Sequence, residues 1–585
     1  MFMEFTEEQL KYINSSINKH TFLEACPGSG KTEVVSAKVA KEISSWDKYP
    51  GGIAILSFTN SATDELTHRI STHLLQAKVM FPHTLGTFDS FIYKNIVSPL
   101  VTELTKYIGE GNDSSIKIID TSVTLGYRTK YSYAKRGNIY AHHFSFDMKN
   151  DGIIFNTGDP ITDKALSKLT LTDWQIKDFQ DTKLKMFQGG FATYKDIEYL
   201  AIMAVNDLKF KQYFELLVKR YPLIIIDECQ DLSEEQLTIL QALANNGAIL
   251  HFVGDLHQAI YGFRDVEPIK VTEFVTNNDF LHLKLTRNFR SCQNIINVCA
   301  KITGRSDIIG NISWLEQRCI VMQYEVCPTE LVSSFDKIFS QFENNVILSR
   351  GHAILQKFQT NIEKLNNIQK LALSIKLFDV DDPDNLNTSI QLFSEFISHH
   401  LKESYRPNSF NCPQSISSNL IWRKFLCASL NYLVNNDLKT MNISWSVWTK
   451  RTKQLIHSLS KQEFCSDLIA KSISSLDDVK LVSPSGLSEE EVTTTLGTAF
   501  KPMISYRKST IHGAKGETHD VTVVISSPQA GNDSNWLNWI KSPDTESARF
   551  AYVASSRPKH YLIWAVKKLK EAEKDKLKNI GFFIH

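Results

Sequence analysis

The segment that most constrains the fold of this chain is the run ACPGSGKT at positions 25–32. It has the pattern of a phosphate-binding loop, with Ala25 where the common pattern has its first glycine. Residues 21–24 before it look like a short buried strand, and residues 31–43 after it have helical spacing. A strand, a glycine turn and a helix N-terminus together place backbone N–H groups around phosphate oxygens. The pattern predicts a nucleotide site in which Lys31 contacts phosphates and Thr32 binds Mg²⁺.

Composition limits the classes of protein to which the chain can belong. The 585 residues are 42% hydrophobic and 22% charged, as in globular proteins of several domains. Because 65 Lys and Arg balance 64 Asp and Glu, any nucleic-acid surface must be local. The nine cysteines form no C-x-x-C pair, which favours a reducing compartment over a disulfide framework, zinc site or iron–sulfur cluster. No signal peptide or bilayer-length apolar run is apparent, so we expect a cytoplasmic protein without a membrane partner.

A second apolar run, residues 221–226, ends in the adjacent carboxylates Asp227 and Glu228. Continuous apolar runs are typical of parallel strands buried on both faces, and ligands bind at the carboxyl ends of such strands. We interpret Asp227 as a ligand of Mg²⁺ and Glu228 as the base that orients and deprotonates an attacking water. Paired acids are also ordinary helix-start residues, so this interpretation depends on the phosphate loop upstream.

Polar and aromatic side chains follow the ends of further predicted strands. Gln258, after residues 249–253, is placed where a side chain can sense a γ-phosphate. Aromatic rings offer stacking faces to single-stranded nucleic acid, although each ring taken alone is as well explained as core. The candidate strand-end contacts are Phe58, Thr59, Asn60, Thr87, Tyr261, Phe263 and Arg264.

Gln9 has two readings that the sequence leaves open. Thr6 and Gln9 fit a capping box at the start of a helix. The position of Gln9 just upstream of the phosphate loop also suits an amide that pairs with the edge of an adenine ring.

The order and spacing of these segments resemble the UvrD/Rep/PcrA group of superfamily 1 helicases, over roughly residues 1–92, 192–360 and 500–565. The resemblance implies an α/β fold: two RecA-like P-loop domains with parallel sheets, each carrying an inserted, mainly helical accessory domain. It also implies ATP in the cleft between these domains and single-stranded or tailed DNA across their tops, with 3′→5′ movement. A compact variant of the group, the Gabija type, makes anti-phage defence or DNA repair a candidate role and an OLD-family nuclease subunit a candidate partner.

The resemblance also assigns residue roles. Phe289 stacks on adenine, Gln258 couples the γ-phosphate to the DNA site, and Arg557 acts as an arginine finger. Thr510 and His512 join the DNA contacts. The catalytic set is Lys31, Asp227, Glu228, Gln258, Arg290 and Arg557. The nucleotide contacts are Gln9, Ala25, Cys26, Pro27, Gly28, Ser29, Gly30, Lys31, Thr32, Phe289, Arg290, Glu517 and Arg557.

Two positions depart from the family pattern. Glu517-Thr518 replaces the usual Leu-Glu after Lys515-Gly516, so Glu517 is only a weak candidate for the nucleotide sugar. Glu33 stands where a basic residue commonly packs on adenine, which predicts one-sided stacking of the base. An alternative function is a DNA-activated ATPase that acts as a sensor or regulatory subunit of a nuclease complex without processive unwinding.

The remaining sequence predicts the domain order. Lys183 and Lys185 read as solvated surface, or as contacts to a phosphate backbone. Tryptophans 422, 445 and 448 read as helical core. The predicted order is a first RecA-like domain (1–92 and 192–283) with an accessory insertion (93–191), and a second RecA-like domain (284–360 and 500–585) with a reduced helical insertion (361–499).

Overall fold

A computed structural model describes most of the chain. The described residues are 4–74, 81–109, 111, 115–120, 123, 125–132, 137–147, 152–260, 262, 266–312, 316, 318–356, 358, 365–406, 409–493 and 506–585. They divide into two compact units. The first unit comprises Met1–Pro328, Leu348–Arg350 and Ser509–His585, and the second comprises Thr329–Ile347 and Gly351–Lys508.

The first large sheet has six strands, all paired in parallel. We number the strands of the two large sheets in chain order. The first sheet contains β1 Thr21–Ala25, β2 Ile53–Ser57, β3 Thr84–Thr87, β4 Leu223–Asp227, β5 Ile249–Gly254 and β6 Leu281–Leu285. Its spatial order is β6-β1-β5-β4-β2-β3, so the phosphate loop after β1 lies beside the strand end after β5.

The apolar runs of this sheet are explained by burial on both faces. Ile53 and Ile55 of β2 join one hydrophobic cluster, with Val34 and Val39 of the helix after the phosphate loop. Ala54 and Leu56 of the same strand join the cluster on the opposite face. Because successive side chains alternate across the sheet, only a continuous apolar run fills both clusters. The polar residues are therefore confined to the strand ends.

The first unit also contains helices, which flank the two large sheets and form part of the insertion between β3 and β4. The helices of eight residues or more are Lys31–Ser44, Asn60–Leu74, Ser98–Thr105, Asp173–Gln188, Tyr194–Asn206, Lys211–Arg220, Glu234–Asn245, Pro268–Asn277, Gln293–Thr303, Glu546–Ser555 and Glu571–Ile580. The last of these has mostly exposed lysines and one buried residue, Leu577, so it presents a solvated basic face.

The insertion between β3 and β4 combines helices with short strands. Phe144–Asp147 and Gly152–Phe155 pair antiparallel, and residues 148–151 between them lie outside the described residues. Arg128–Ser132 and Asn138–Tyr140 form a second antiparallel pair. Two-residue strands, Lys117–Ile118 and Phe191–Ala192, connect the start and the end of the insertion in parallel.

The prediction of a solvated or DNA-facing Lys183 is wrong. Lys183 is buried, its Nζ pairs with Asp196 Oδ1 at 2.8 Å, and it donates to the carbonyl oxygen of Ala141 at 2.6 Å. Burial lowers the pKa of Lys183, and the adjacent Asp196 opposes that shift. The error arose because a lone lysine in a polar helix carries no signal of burial, whereas Lys185, two positions on, is exposed.

The second large sheet also has six strands. They are β7 Cys319–Tyr324, β8 Asn345–Ser349, β9 Tyr506–Thr510, β10 His519–Ile525, β11 Pro558–Lys567 and β12 Phe583–Ile584. The spatial order is β9-β8-β10-β11-β7-β12, and the pairs β10–β11, β11–β7 and β7–β12 are parallel. Two parallel sheets flanked by helices confirm the predicted α/β class.

The second unit is mainly helical. Its longer helices are Val332–Phe339, Asn367–Leu377, Pro383–Ser398, Asn419–Asn435 and Trp445–Ile456. Trp422, Trp445 and Trp448 are fully buried, and the indole Nε1 of Trp422 donates to the carbonyl oxygen of Phe410 at 2.8 Å. The prediction that these tryptophans form helical core is confirmed. Residues 379–384 form a polar segment between two of these helices. Asp382 in this segment caps the helix that begins at Pro383.

Two further observations concern membrane-length helices and the cysteine thiols. Within the described ranges, no helix combines the length and apolar character that crossing a bilayer requires. All nine cysteines are free thiols.

We expect Lys183→Met to destabilise the first unit strongly, because it leaves the carboxylate of Asp196 buried without its counter-ion. Removing one partner of a buried ion pair costs about 3–5 kcal/mol. Thermal unfolding followed by circular dichroism measures the effect. Lys185→Met on the same helix is the matched control, and a surface substitution of this kind costs within about 0.5 kcal/mol. Equal melting temperatures for the two variants would contradict the assignment.

Candidate functional site

The phosphate loop forms the centre of the site. It joins β1 to the helix Lys31–Ser44, with Gly28 at φ +67° and Gly30 at φ +76°. Both angles lie in the left-handed region, which glycine adopts without steric cost. Gly30 is the residue that precedes the helix, so the loop delivers its N–H groups at a helix N-terminus, where anions bind.

Gly28 is required for a second reason, which is close contact with the segment after β6. A Cβ atom at Gly28 would lie 2.7 Å from the Cβ of Arg290. The backbone N–H of Phe289 donates to the carbonyl oxygen of Gly28 at 2.8 Å, and the Asn288 side-chain amide donates to that of Pro27. Phe289 and Arg290 are thus held against the loop by main-chain contacts that need a glycine opposite. Asn288 is a site residue that the sequence reasoning missed.

Lys31 lies among carboxylates. Its Nζ lies 3.3 Å from Asp227 Oδ1 and forms a shorter ion pair with Glu228. Burial alone lowers the pKa of Lys31, but the two carboxylates outweigh burial and raise it. Burial likewise favours the neutral form of Glu228, yet Lys31 and Lys515 hold the pKa of that carboxyl at about 2. Glu228 is therefore ionised at neutral pH, as a base must be.

Glu228 adopts a backbone conformation that is uncommon for a residue with a side chain. Its φ is 59°, in the left-handed region, and the short helix Cys229–Asp231 follows it directly. Its second oxygen accepts a bond from Gln230, and the Gln230 Oε1 accepts from the backbone N–H of Asp255 at 3.1 Å. Such strain concentrates at functional positions and requires support from neighbouring contacts. Gln230 is fully buried and provides that support, another role that sequence reasoning missed.

A cavity of about 260 Å³ brings most of the predicted catalytic residues together. From the first sheet it is lined by the phosphate loop with Lys31 and Thr32, by the carboxylates Asp227 and Glu228, and by Gln258. From the chain after β6 and from the second sheet it is lined by Arg290, Gly516, Thr518 and Arg557. The two arginines therefore face the space above Lys31.

Arg557 is buried and Arg290 is partly buried, and the oxygen atoms that they contact carry no charge. Arg290 Nη1 donates to the carbonyl oxygen of Ser556 at 3.0 Å. Arg557 Nε donates to the carbonyl oxygen of Val553 at 2.8 Å, and its Nη2 donates to Gln258 Oε1 at 3.0 Å. Among the described residues, neither guanidinium forms an ion pair. Burial, followed by the charge of Arg557, lowers the pKa of Arg290 to about 9. Buried cations are expected to be paired, so this arrangement favours an anion in the cavity.

A second cavity, of about 380 Å³, opens on the other side of the loop and is lined by Gly28, Phe289, Arg290 and Thr518. Phe289 is partly exposed there.

The hydrogen bonds of Gln9 bear on the two interpretations of this residue. Its Oε1 accepts from the N–H of Thr6 at 2.9 Å, which confirms the capping box, and its Nε2 donates to the carbonyl oxygen of Ser29 at 3.0 Å. The predicted contact of Gln9 with adenine stays a prediction.

Arg69 supplies the positive charge that position 33 lacks. Glu33 accepts from Arg69 Nη1 at 2.6 Å, and its other oxygen lies 2.8 Å from His73 Nε2. Glu33 and Arg69 both line the 260 Å³ cavity. Sequence reasoning noted the acidic residue but missed the arginine, because its partner lies 36 positions away on the helix Asn60–Leu74.

Glu517 does not face the cavity in the way that its resemblance to the family implied. Its carboxylate lies 3.0 Å from His519 Nε2, and its carbonyl oxygen accepts from Arg557 Nη1 at 3.4 Å. Thr518, the next residue, lines both cavities. The acidic residue of the motif is thus shifted by one position in this sequence, whereas the position that lines the cavities is still the one at which the usual pattern has its Glu.

The candidate strand-end contacts gather around a larger cavity of about 720 Å³. Phe58, Thr59, Asn60 and Thr87 line it, with Tyr93 and Tyr194 among the aromatic residues of its wall. Tyr261, Phe263 and Arg264 lie outside the described residues. Thr510 Oγ1 accepts from the N–H of Gly513 at 3.1 Å and so caps a turn.

Side chains from the connections between strands of the second sheet contact the first sheet, two at the segment after β5 and one at the segment after β4. His512 Nε2 lies 3.0 Å from the carbonyl oxygen of Ile260, and Arg549 Nε donates to that of Ala259 at 2.6 Å. Lys515 Nζ pairs with Asp231 Oδ2 at 2.5 Å. These contacts give the two sheets a shared boundary next to the nucleotide cavity.

Comparison with known proteins identifies the first half of the chain. The model of the UvrD/REP helicase N-terminal domain matches residues 5–278. Over these residues, a little under half of the chain, the protein is similar to the N-terminal domain of UvrD/Rep helicases. The resemblance to the UvrD/Rep/PcrA group is thereby confirmed.

Curated relatives of this UvrD/Rep-like chain carry names from the same group. DNA helicase II of Haemophilus influenzae is 26% identical over 326 residues, which are 53% of this chain and 42% of that protein. ATP-dependent DNA helicase PcrA of Leuconostoc citreum is 28% identical over 49% of this chain and 38% of its own length. ATP-dependent DNA helicase Rep of Buchnera aphidicola (Schizaphis graminum) is 23% identical over 65% of this chain and 56% of its own length. The chain thus spans less than two thirds of each of these relatives.

We expect Gly28→Ala to weaken ATP binding at least about tenfold, a loss of roughly 1.4 kcal/mol. The added Cβ meets Arg290 and also forces alanine into a left-handed conformation. Isothermal titration calorimetry with a non-hydrolysable ATP analogue measures the affinity. Gly86→Ala in β3 is the matched control, because a Cβ there meets no heavy atom within 4 Å. Similar affinities for the two variants would contradict the assigned loop.

Proposed function

We propose that the protein hydrolyses ATP in the 260 Å³ cavity and couples hydrolysis to movement on single-stranded DNA. The observation that carries the proposal is the pair of arginines, buried Arg557 and partly buried Arg290, which face the phosphate loop without an ion-pair partner among the described residues. A triphosphate seated on the loop supplies the missing negative charge. An arginine that contacts the transferring phosphoryl group is worth about 10³–10⁵ in rate.

The residues on the loop side perform the remaining steps. Phosphate oxygens compete with Asp227 and Glu228 for Lys31, so ATP binding releases the two carboxylates from their ion pairs. Glu228 then orients the attacking water and accepts its proton. Thr32 and Asp227 would hold Mg²⁺, which neutralises charge on the phosphates. A hydroxyl, a carboxylate and substrate phosphates form the oxygen donor set that suits this ion.

The DNA path is proposed to run over the strand ends. Phe58 and Thr87 line the 720 Å³ cavity, and Asp231, which pairs with Lys515, lines it too. His512 and Arg549 hold the loop after β5 between this cavity and the nucleotide residues. Closure of the arginines on ATP therefore changes the same loop that bounds the DNA path. Alternating grip between the closed and open states advances the strand.

The relatives named above as ATP-dependent DNA helicases support this class of activity. We assign 3′→5′ polarity, with ATP and Mg²⁺ as the required ligands and anti-phage defence or DNA repair as the setting. The second candidate is the DNA-activated ATPase that serves a nuclease partner. It uses the same nucleotide site, so a strand-separation assay distinguishes the two.

Lys31→Ala and Arg557→Ala should each reduce the turnover of ATP by about 10³-fold or more, because each removes a charge from the phosphates. A coupled assay with and without oligodeoxythymidylate measures kcat and its stimulation by DNA. Lys41→Ala is the matched control, since Lys41 lies on the same helix as Lys31 and its Nζ donates to Asn14 at 2.8 Å on the surface. Wild-type ATPase that does not respond to single-stranded DNA would contradict the DNA-coupled proposal.

On tailed duplexes, we expect strand separation from a 3′ single-stranded tail and none from a 5′ tail or a blunt end. A strand-displacement assay with a labelled strand measures this, and Lys31→Ala shows the background. ATPase stimulation by DNA with no displacement of either duplex would favour the sensor function. Displacement from the 5′ tail alone would contradict the assigned polarity.

A further inference from the structure

Gln258 lines the nucleotide cavity, and its amide can be placed in either of two orientations. The contacts around it select one. Gln258 Nε2 donates to Asp255 Oδ2 at 2.9 Å, and Gln258 Oε1 accepts from Arg557 Nη2 at 3.0 Å. A carboxylate only accepts hydrogen bonds, so Asp255 must face the NH₂ end of the amide. The carbonyl end then points to Arg557.

Asp255 is held from three sides. Its Oδ2 also accepts from the hydroxyl of Tyr552 at 3.1 Å. Its Oδ1 accepts from the backbone N–H of His257 at 3.1 Å and lies 3.4 Å from Arg305 Nη1. Both Asp255 and Tyr552 are buried, where hydrogen bonds are strong and an unpaired group is costly. Burial, followed by the charge of Asp255, raises the pKa of Tyr552, so its hydroxyl stays a donor.

Tyr552 joins the two sides of the site. It lies on the helix Glu546–Ser555, and Arg557 follows the same helix by two residues. Asp255 and Gln258 lie in the segment after β5 of the first sheet. The helix therefore contacts this segment through Tyr552 and Arg549, and Arg557, just beyond the helix, contacts it at Gln258. Tyr552 does not line the nucleotide cavity, whereas Arg557 does.

We propose that Tyr552 is a positioning residue that, through Asp255, fixes the Gln258 amide with its carbonyl oxygen toward Arg557 and the reacting phosphate. The inference rests on the proposed ATPase. Without the Tyr552 hydroxyl, Asp255 loses a donor from the second sheet, and both ends of the Gln258 amide become able to face the cavity. Gln258 and Arg557 then reach the reactive geometry less often, while ATP still binds.

The test is a double-mutant cycle on ATP turnover, with Tyr552→Phe, Gln258→Ala and the double variant. Tyr552→Phe removes one hydroxyl and keeps the buried ring. We expect it to lower kcat about tenfold or more with KM for ATP unchanged, since a bond to a charged group is lost away from the substrate. In the Gln258→Ala background, Tyr552→Phe should have little further effect, because residues that act as a unit are not additive.

Tyr324→Phe is the matched control. Tyr324 is buried in the second sheet, and its hydroxyl donates to the carbonyl oxygen of Ser526 at 3.1 Å, so it tests the loss of a buried hydroxyl elsewhere. We expect its kcat and KM to match those of the wild type. Melting temperatures of all variants separate misfolding from mispositioning.

The outcomes distinguish this inference from the function on which it rests. A wild type that hydrolyses no ATP overturns both. An active wild type with an unchanged kcat in Tyr552→Phe overturns the positioning role alone. So does an equal loss of kcat from Tyr552→Phe in the wild-type and Gln258→Ala backgrounds, since Tyr552 would then act independently of the amide.

Discussion

The distribution of charge across one cavity governs the site. On the side of the first sheet, Lys31 is neutralised twice, by Asp227 and Glu228. On the opposite side, Arg557 is buried and Arg290 is partly buried, with carbonyl and amide oxygens as their partners. Two poorly solvated cations at close range are unfavourable without an anion. The arrangement therefore favours an anion between the two sides of the cavity.

The parallel sheets explain why so many polar groups meet at this cavity. The central strands β2 and β4 are apolar along their length because both faces are covered, so their polar residues lie where the strands end. In a parallel sheet the carboxyl ends of the strands share one edge. Asp227 at the end of β4, the phosphate loop after β1 and Gln258 after β5 thus converge without any local sequence relation. Hydrogen bonds through intervening side chains such as Gln230 and Asp255 link these groups.

The sequence predicted the parts of the molecule that leave a local pattern. The phosphate loop, the paired acids and the strand ends were identified because apolar runs and short motifs are contiguous in the chain. The side chains that link these parts were missed. Arg69 bonds to Glu33, Asn288 bonds to the carbonyl oxygen of Pro27, and Gln230 bonds to the backbone N–H of Asp255. Each bond joins two segments that are distant in the sequence, so no local pattern reveals it.

Lys183 shows the converse error. Its charge suggested the surface, but a buried carboxylate and two carbonyl oxygens surround it in the folded insertion. Propensity and polarity describe one residue at a time, whereas burial of a charge depends on a partner. The one-position shift at Glu517 and Thr518 has the same origin. A motif aligned by letters does not report which side chain a turn directs inward.

The bond between the N–H of Phe289 and the carbonyl oxygen of Gly28 has a mechanical consequence. Phe289 and Arg290 lie in the short connection between β6, at the edge of the first sheet, and the helix Gln293–Thr303. The polypeptide linking the two sheets is thereby bonded to the phosphate loop. The same connection is bonded to the segment around Arg557, since Arg290 Nη1 donates to the carbonyl oxygen of Ser556 and Ser291 Oγ donates to that of Pro558. A displacement of the phosphate loop is therefore transmitted to both arginines through one short piece of chain.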